Sequence, residues 1–423
     1  MTWPWGRALG SAGDAQLNRC LAALYNWSIR WKMKVNLQKS VFSIFTRART
    51  ILSQPPNIHL NGSPLSYHRH VRYLGLWFSP DLSWGYHGKQ ILAKAKASAN
   101  LIVRKARDAP SLLVVRSLVL AITRAQISYG FPIWEPSPSL LSSLQAQLLR
   151  PLRASLGLPQ SARSDSVLAE FGVCSLKRYW EQQALAWAAR MIRFQFPVPS
   201  NLDDFPAVSL FLARQRECYL PHLRKLPHSH VHGQCSLPFR ATTLIKEDWE
   251  KGQDKIRRLK ALPLLNSSIL KRYAVSLSYR DWLEHKETPL RQYRADDVTE
   301  MALYLKADAR PVACLRARLR FGRSSLLAHQ LRMKLVDSAT CKQCNSGADE
   351  SVDHALLSCT KYAAERETLR QELRQLGVPN LETSLILGRI IINADSGLPI
   401  RSDVLRVTGV YLSSLSASRS DPI

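Results

Sequence analysis

The sequence contains no uninterrupted apolar run as long as a membrane-spanning helix, which needs about 20 residues. Its most apolar segment, residues 112–133, is interrupted by Arg116 and Arg124. The N-terminus also lacks the basic and then apolar regions that are typical of a secretory signal. We therefore expect an intracellular protein, in the nucleus or the cytoplasm, with no membrane partner.

Cysteine is scarce. Eight cysteines in 423 residues are too few for a disulfide framework. Reducing compartments favour free thiols or thiolate–metal bonds instead, so we expect the cysteines to act in one of these two ways.

Acidic residues are under-represented. The chain has 32 Asp and Glu against 59 Lys and Arg, which leaves a formal net charge of +27. A chain this basic repels itself unless counter-ions or a polyanion cover it. Nucleic acid is the leading candidate for that partner, although an anionic membrane surface or a ribosome-like assembly would also fit the charge.

The hydrophobic content of 46% is sufficient for buried cores, and the length allows two or three domains. Near the N-terminus, residues 14–31 predict an amphipathic helix with its leucines and Trp27 on one face. Short β-prone segments follow at residues 41–45, 58–60 and 71–78, and Asn61-Gly62 predicts a turn between the last two. Residues 1–85 therefore have an α+β pattern.

From Lys89 onward the pattern is helical. Residues 91–107, 111–129, 140–156 and 176–194 have helical periodicity, and Ser111 is the expected N-cap of the second helix, with Leu112, Val115, Val119 and Ile122 directed inward. Between Lys89 and Ser128 the only acid is Asp108. We predict nucleic-acid binding by a group of cations in this region: Lys94, Lys96, Arg104, Lys105 and Arg107.

Residues 196–297 are irregular at first and are interpreted as a connector with helices at residues 246–262 and 269–285. A second basic segment follows it, and its guanidinium groups are suited to phosphate backbones, although a solvated helix face is the alternative. The predicted contacts are Arg316, Arg318, Arg320, Arg323 and Arg332. Beyond residue 377 the Ser-rich end is expected to be a partly disordered tail.

A cysteine cluster carries the clearest chemistry. Cys341-x2-Cys344-x9-His354-x4-Cys359 supplies three thiolates and one imidazole, the ligand set of a closed structural zinc site. Residues five positions apart lie about 140° apart on an ideal helix, so the helix must loosen between His354 and Cys359. Buried free thiols beside a chance histidine are the alternative.

A second group of metal-ligating residue types lies in the connector, but it contains no Cys-x2-Cys pair. Its members are Cys218, His222, His228, His230, His232 and Cys235. We interpret this group as part of a polar surface loop.

Several sequence blocks occur in an order that resembles one family. The first is Trp27-x3-Trp31-x-Met33-x-Val35-Asn36-x2-Lys39-Ser40. The second comprises Ile58-x-Leu60-Asn61-Gly62, Val71-x-Tyr73-Leu74-Gly75 and Asp81-Leu82-Ser83-Trp84-x2-His87, and it is followed by Tyr129-Gly130-x3-Trp134. The last is the arginine-rich segment with the cysteine cluster, Tyr362 and Arg366. Together they resemble the reverse transcriptases of LINE-type (non-LTR) retrotransposons, most weakly at residues 195–295.

The resemblance implies RNA-directed DNA synthesis by a palm whose aspartates hold two magnesium ions. The family's aromatic-x-Asp-Asp hairpin should precede Trp27, where only Asp14 is found. The pairs at residues 203–204 and 296–297 do not fit that hairpin. The catalytic aspartates are therefore absent from this sequence, and magnesium would bind only if an upstream palm completed the site.

By the same resemblance, Lys39 would approach the phosphates of the incoming nucleotide, and Tyr73, Leu74 and Gly75 would hold the primer end. A surface lysine and a buried strand are the respective alternatives. The partners implied are RNA or DNA and an upstream polymerase and endonuclease part.

The predicted fold is mainly α with a small α+β N-terminal part. Its regions are a palm remnant with the primer-grip hairpin (1–85), a helical thumb (86–195), the connector (196–297), the arginine-rich segment with a Cys-Cys-His-Cys zinc knuckle (298–377) and the tail (378–423). The predicted function is nucleic-acid binding without catalysis. A decayed or co-opted zinc-knuckle adaptor is the alternative.

Overall fold

The computed structural model describes residues 11–46, 56–106, 109–131, 133–180, 182–183, 300–388, 391–392, 399–400 and 402–419. It is mainly helical, at 59% helix and 6% strand, with a small strand-containing N-terminal part. The fold class is confirmed at this level. The predicted connector, its histidine-rich group and Arg107 lie outside the described residues.

The chain forms two compact units. The first contains the described residues up to Ala93, with Tyr129–Leu140 and Trp180, and the second contains Lys94–Ser128, Leu141–Tyr179 and the described residues from 300 onward. Residues of the predicted thumb therefore contribute to both units. No helix within the described ranges is long and apolar enough to cross a membrane.

Helix α1 (Ser11–Arg30) confirms the predicted N-terminal helix. Asn18 attaches it to the following strand region, because its side chain donates to the carbonyl of Asn57 (3.0 Å) and accepts from the amide of His59 (2.8 Å). The leucines of the predicted apolar face are partly buried, whereas Trp27 is 41% exposed. The apolar face is therefore covered at its N-terminal end and open at its C-terminal end.

Six short strands of the first unit form three two-stranded pairs. They are β1 (Val41–Phe42) parallel to β4 (Ser66–Tyr67), β2 (His59–Leu60) antiparallel to β3 (Ser63–Pro64), and β5 (Val71–Tyr73) antiparallel to β6 (Leu76–Phe78). Asn61-Gly62 forms the predicted turn, with φ of +52° and +73°. It joins β2 to β3, however, and not to residues 71–78, because the chain reverses immediately after the turn.

The β5–β6 hairpin turns at Leu74-Gly75, where both residues have positive φ (+46° and +89°). Tyr129 secures this tip by donating its hydroxyl to the Leu74 carbonyl (2.7 Å). A Cβ at Gly75 would lie 2.7 Å from the Tyr129 ring, so the close approach requires glycine. Nearby, His87 is fully buried and packs edge-on against Trp134 at 4.7 Å.

Five helices follow in the next part of the chain, and residues 176–180 begin a further helical segment. They are α2 (Gly85–Ala106), α3 (Leu112–Leu118), α4 (Ala125–Ser128), α5 (Pro138–Ser155) and α6 (Ser164–Phe171). Ser111 is the N-cap of α3, as predicted, and accepts from the Val114 amide (3.4 Å). A π-helical turn (Val119–Arg124) joins α3 to α4. Its wider turn shifts the inward face by one residue, so Thr123 is buried where Ile122 was expected.

The second unit continues with an arginine helix (Arg310–Arg320), a charged helix (Ala363–Gln375) and a C-terminal helix (Ser402–Ala417). Shorter elements before and between them are the helices Leu303–Ala307, Leu327–Arg332 and Thr383–Ile386 and the strands β7 (Ile391–Ile392) and β8 (Pro399–Ile400).

Residues 402–417, within the predicted tail, form a helix. The C-terminal helix buries Val404, Val407, Tyr411 and Leu415 in one core, which it shares with the charged helix and two of the clustered cysteines. The helix also contains several serines, and this serine-rich composition is what suggested disorder. The i, i+3, i+4 spacing of the apolar residues is the signal that indicates a helix.

Candidate metal centre

Cys341 and Cys344 lie on a tight turn between two short extended segments. Thr340 and Asp349 form an isolated antiparallel bridge, and the Cys341 amide donates to the Ala348 carbonyl (2.9 Å). Gly347 has φ of +71°, in the left-handed region that favours glycine. The Gln343 amide also points at the Cys341 sulfur (3.4 Å). This arrangement directs both thiols toward the same side of the turn.

His354 and Cys359 come from the next turn of chain, which is π-helical (His354–Ser358). Ser351 starts it by accepting from the His354 amide (3.0 Å), so His354 lies in the first turn, as predicted. The Cys359 amide then donates to the His354 carbonyl (2.7 Å), a hydrogen bond that spans five residues. This is the predicted loosening: the wider turn brings two residues that an α-helix would separate by about 140° onto one side.

The four predicted ligands converge. The sulfurs of Cys341, Cys344 and Cys359 and a ring nitrogen of His354 all lie within 4.8 Å of one another. The sulfur of Cys344 is 3.4 Å from Nε2 of His354. A tetrahedral zinc with bonds of about 2.3 Å to sulfur separates its ligand atoms by about 3.8 Å, so the donor set fits such an ion. Within the part of the chain that the structure describes, this is the one group of three or more possible metal ligands.

The thiols of the site differ in acidity. Hydrogen bonds from Ser346 lower the pKa of Cys344 to about 6, because they favour the thiolate. Burial, with the neighbouring thiols, raises the pKa of Cys359 to about 11. Cys359 is therefore a protonated thiol at neutral pH, and a cation bound there would displace its proton.

A surrounding set of polar contacts holds the ligand loops. Arg366 donates to the Cys359 carbonyl (2.6 Å), and Tyr411 of the C-terminal helix donates to the Leu356 carbonyl (2.7 Å). Glu350 accepts from the Leu327 amide (3.0 Å) and pairs with Arg419 (2.7 Å), both side chains being at most 4% exposed. The site and the C-terminal helix are therefore parts of one packed structure.

Sequence reasoning identified the four ligands but missed Glu350, Tyr411 and Arg419 as supports. The partners of these residues lie far apart in the sequence, at separations of up to 69 residues, so no local pattern relates them. The helical periodicity of residues 404–415 is the one signal that pointed to a docked element.

Two of the predicted phosphate contacts are corrected by the structure. Arg316 is 0% exposed and pairs with Asp308 (2.8 Å), and Arg320 is 1% exposed and pairs with Glu170 (2.8 Å). Each also donates to backbone carbonyls, of Ile386 and Leu405 for Arg316 and of Leu387 for Arg320. These guanidinium groups hold the core together and do not reach a surface phosphate.

The other arginines of that segment lie nearer the surface. Arg318 and Arg323 are half-buried, and Arg332 is exposed. Arg323 contacts the Met333 sulfur (3.4 Å). Burial, followed by the charges of Arg332 and Arg323, lowers the pKa of His329. The positive charges of Arg332 and Arg323 therefore disfavour the protonated form of His329.

The remaining predicted contacts are on the surface. Lys94, Lys96, Arg104 and Lys105 are all exposed on α2, a helix that contains no acidic residue. In the first unit Lys39 is exposed at the end of a 3-10 turn, and Tyr73 and Leu74 are 40% and 73% exposed. Tyr73, Leu74 and Gly75 lie together at the hairpin tip.

Comparison of the chain with protein-family models gives no match, and comparison with curated proteins gives none either.

Proposed function

We propose that this protein binds RNA or DNA through the exposed cations of α2 and the surface arginines near the cysteine cluster. The observation that carries the proposal is the surface of α2, where Lys94, Lys96, Arg104 and Lys105 are exposed and unopposed by any acid in the helix. Lys94 and Lys105 are eleven residues apart and lie almost in line, about 16 Å apart along the axis. Two aligned cations at this distance can contact separate phosphates of one strand.

We further propose that Cys341, Cys344, His354 and Cys359 bind zinc. Four protein ligands leave no open position for water, so the ion would be structural and not catalytic. Its effect would be to hold the loop at residues 341–344 against the turn at residues 354–359. Arg323 and Arg332 would then be presented from a surface stabilised by the metal.

The blocks that resemble LINE-type reverse transcriptases support the proposal that the chain is a C-terminal portion of such an enzyme. In that context Lys39 would contact nucleotide phosphates, and Tyr73, Leu74 and Gly75 the primer end. An upstream polymerase and endonuclease part would be the protein partner, and magnesium would bind only with its palm. On this proposal the chain by itself does not polymerise DNA.

Salt-dependent binding tests the proposal. The zinc-loaded chain is titrated with a labelled RNA strand, and fluorescence anisotropy is measured between low and moderate salt. We expect binding to weaken steeply with salt because phosphate contacts release counter-ions. Replacing Lys94, Lys96, Arg104 and Lys105 together by Gln should weaken binding at least about tenfold and make the salt slope shallower, by up to about 0.7 per lost contact with a single strand.

Arg370→Gln with Arg374→Gln is the matched control, since both arginines lie on the charged helix, which also contains Glu365, Glu367 and Glu372. It should change RNA affinity little. Affinity that barely responds to salt or to the α2 substitutions would contradict the phosphate-contact model.

A zinc-stabilised adaptor is a second candidate function. The burial of Arg316 and Arg320 favours it, because two of the three predicted phosphate contacts on the arginine helix serve the core. Primer extension separates the two ideas if the chain is added to an active upstream polymerase part. Increased DNA synthesis supports the enzyme-portion proposal, and unchanged synthesis with retained RNA binding supports the adaptor.

A further inference from the structure

The C-terminal end of α1 presents an open aromatic surface, which we call the tryptophan end. Trp27 is 41% exposed and Trp31 is 64% exposed, one helical turn apart on the same side of the chain. Their ring centroids are 6.4 Å apart and the rings are tilted by 46°, so they do not stack on each other. Large aromatic side chains normally bury most of their surface, and a cluster of exposed ones indicates an interaction site.

The backbone at this end makes a sharp reversal. The Lys32 amide donates to the Ile29 carbonyl (2.9 Å) and the Met33 amide to the Ser28 carbonyl (2.8 Å), the paired hydrogen bonds of a Schellman motif. Glycine usually occupies the left-handed position of this motif, but here it is Lys32, with φ of +53°. A cation therefore lies at the bend, directly beside Trp31.

The segment of sequence that contains the tryptophan end carries charge of one sign. No Asp or Glu occurs anywhere from residue 15 to residue 80. Arg30, Lys32, Lys34 and Lys39 alternate with the exposed apolar residues, and all four are exposed. An acidic partner with flat apolar groups would match both features of this surface.

We infer that the tryptophan end is a stacking site for the unpaired bases of single-stranded nucleic acid, with the flanking cations contacting its phosphates. This inference rests on the proposed nucleic-acid-binding function and adds a second contact site, in the first unit. Single-strand-binding surfaces combine base-stacking aromatic rings with a positively charged path for the backbone. Exposed rings beside cations, in a segment of the sequence that has no Asp or Glu, meet both requirements.

The helix also exposes an apolar side chain without a ring, which distinguishes base stacking from general apolar contact. Ile29 is 57% exposed on the same helix and has no ring. If bases stack on the rings, Ile29→Ala should leave nucleic-acid binding unchanged. If a polypeptide or a second copy of the chain docks on the apolar surface instead, Ile29→Ala should weaken that binding. Ile29→Ala is therefore the matched control for the tryptophan substitutions.

The experiment uses the zinc-loaded full chain and two probes of equal charge, a labelled twelve-nucleotide oligo(U) and an abasic strand of the same length. We expect Trp27→Ala with Trp31→Ala to weaken oligo(U) binding at least about fivefold, the lower end of the effect of one stacked base. Affinity for the abasic strand should stay within about twofold. Trp27→Phe with Trp31→Phe should retain most of the oligo(U) affinity.

Equal oligo(U) affinity in the wild type and the double alanine variant would overturn the inference, and so would an equal loss for both probes. Sedimentation that shows a wild-type dimer broken by Ile29→Ala would assign the surface to a second copy and also overturn it. If the alanine variant does not fold, equal wild-type affinity for oligo(U) and the abasic strand overturns the inference, since stacking requires a preference for oligo(U). Loss of binding in the α2 variant but not in the tryptophan variant would refute only this inference, whereas no nucleic-acid binding by the wild type would refute the proposed function as well.

Discussion

Replacing Arg320 by alanine should destabilise the second unit without acting on a nucleic-acid surface. The guanidinium pairs with Glu170 (2.8 Å), donates to the Leu387 carbonyl (2.6 Å) and lies over the Tyr304 ring at 4.9 Å. Both members of the ion pair are at most 1% exposed. Arg320→Ala therefore removes the cation opposite a buried carboxylate, 150 residues away in the sequence.

The magnitude follows from that burial. Removing one partner of a buried ion pair costs about 3–5 kcal/mol, because the other charge stays desolvated. Arg332→Ala is the matched control, since Arg332 is exposed on a nearby short helix, and a surface substitution of this kind changes stability by about 0.5 kcal/mol or less. Arg320→Met combined with Glu170→Gln should recover much of the loss, because no charge is then left buried.

Urea and thermal unfolding of the zinc-loaded chain, followed by circular dichroism, provide the measurement. We expect a clear fall in the unfolding midpoint for Arg320→Ala and almost none for Arg332→Ala. RNA affinity should show the reverse order when it is measured at a temperature where both variants are folded. A fully stable Arg320→Ala variant with weakened RNA binding would refute the structural role and restore the sequence-based prediction.

Three further predictions concern the metal centre, His329 and the hairpin tip. Cys359→Ser, or treatment with a strong chelator, should remove about one zinc per chain and lower the melting temperature of the second unit, because the ligand loops and the C-terminal helix share one core. Loss of zinc in metal analysis with an unchanged melting temperature would count against a structural ion. The lowered pKa of His329 disfavours its charged form in the fold, so its contribution to stability is present above the ordinary histidine pKa of 6.5 and is lost as pH falls from that value toward the folded pKa. Arg332→Ala should raise the pKa of His329 in an NMR titration. An unchanged pKa would show that the charge of Arg332 does not act on the His329 ring. Leu74→Asn should stabilise the hairpin by about 1 kcal/mol or less in urea unfolding, because asparagine tolerates the left-handed conformation that Leu74 adopts. A loss of stability would mean that the exposed Leu74 side chain makes a contact that stabilises the hairpin by more than its backbone strain costs.

Local signals in the sequence predicted local structure well. The N-terminal helix, the Ser111 cap, the Asn61-Gly62 turn and the convergence of Cys341 with Cys359 all depend on residues close together in the chain. In the cysteine cluster even the required distortion was predictable, because two ligands five residues apart cannot share one face of an α-helix. The π-helical turn at residues 354–358 satisfies that requirement.

Charge was a less reliable guide than spacing. Arg316, Arg320 and Arg332 have the same side chain and lie in the same basic segment, yet two are buried ion-pair partners and one is on the surface. Arginine is suited to both roles, since its planar fork binds carboxylates and carbonyls as well as phosphates. Composition alone cannot separate them, because the partner acid is decided by packing: it is Asp308, eight residues away, for Arg316 and Glu170, 150 residues away, for Arg320.

By itself, the sequence determined the helical class, the basic balance and the four-ligand spacing of the cysteine cluster. Each of these follows from periodicity, charge or ligand geometry over a few turns of chain. Only the tertiary structure decided which arginines are buried, that the serine-rich end is a core helix, and that Trp27 and Trp31 are left open. Those outcomes depend on which distant segments pack together, since burial and exposure are properties of the assembled surfaces and not of any local segment.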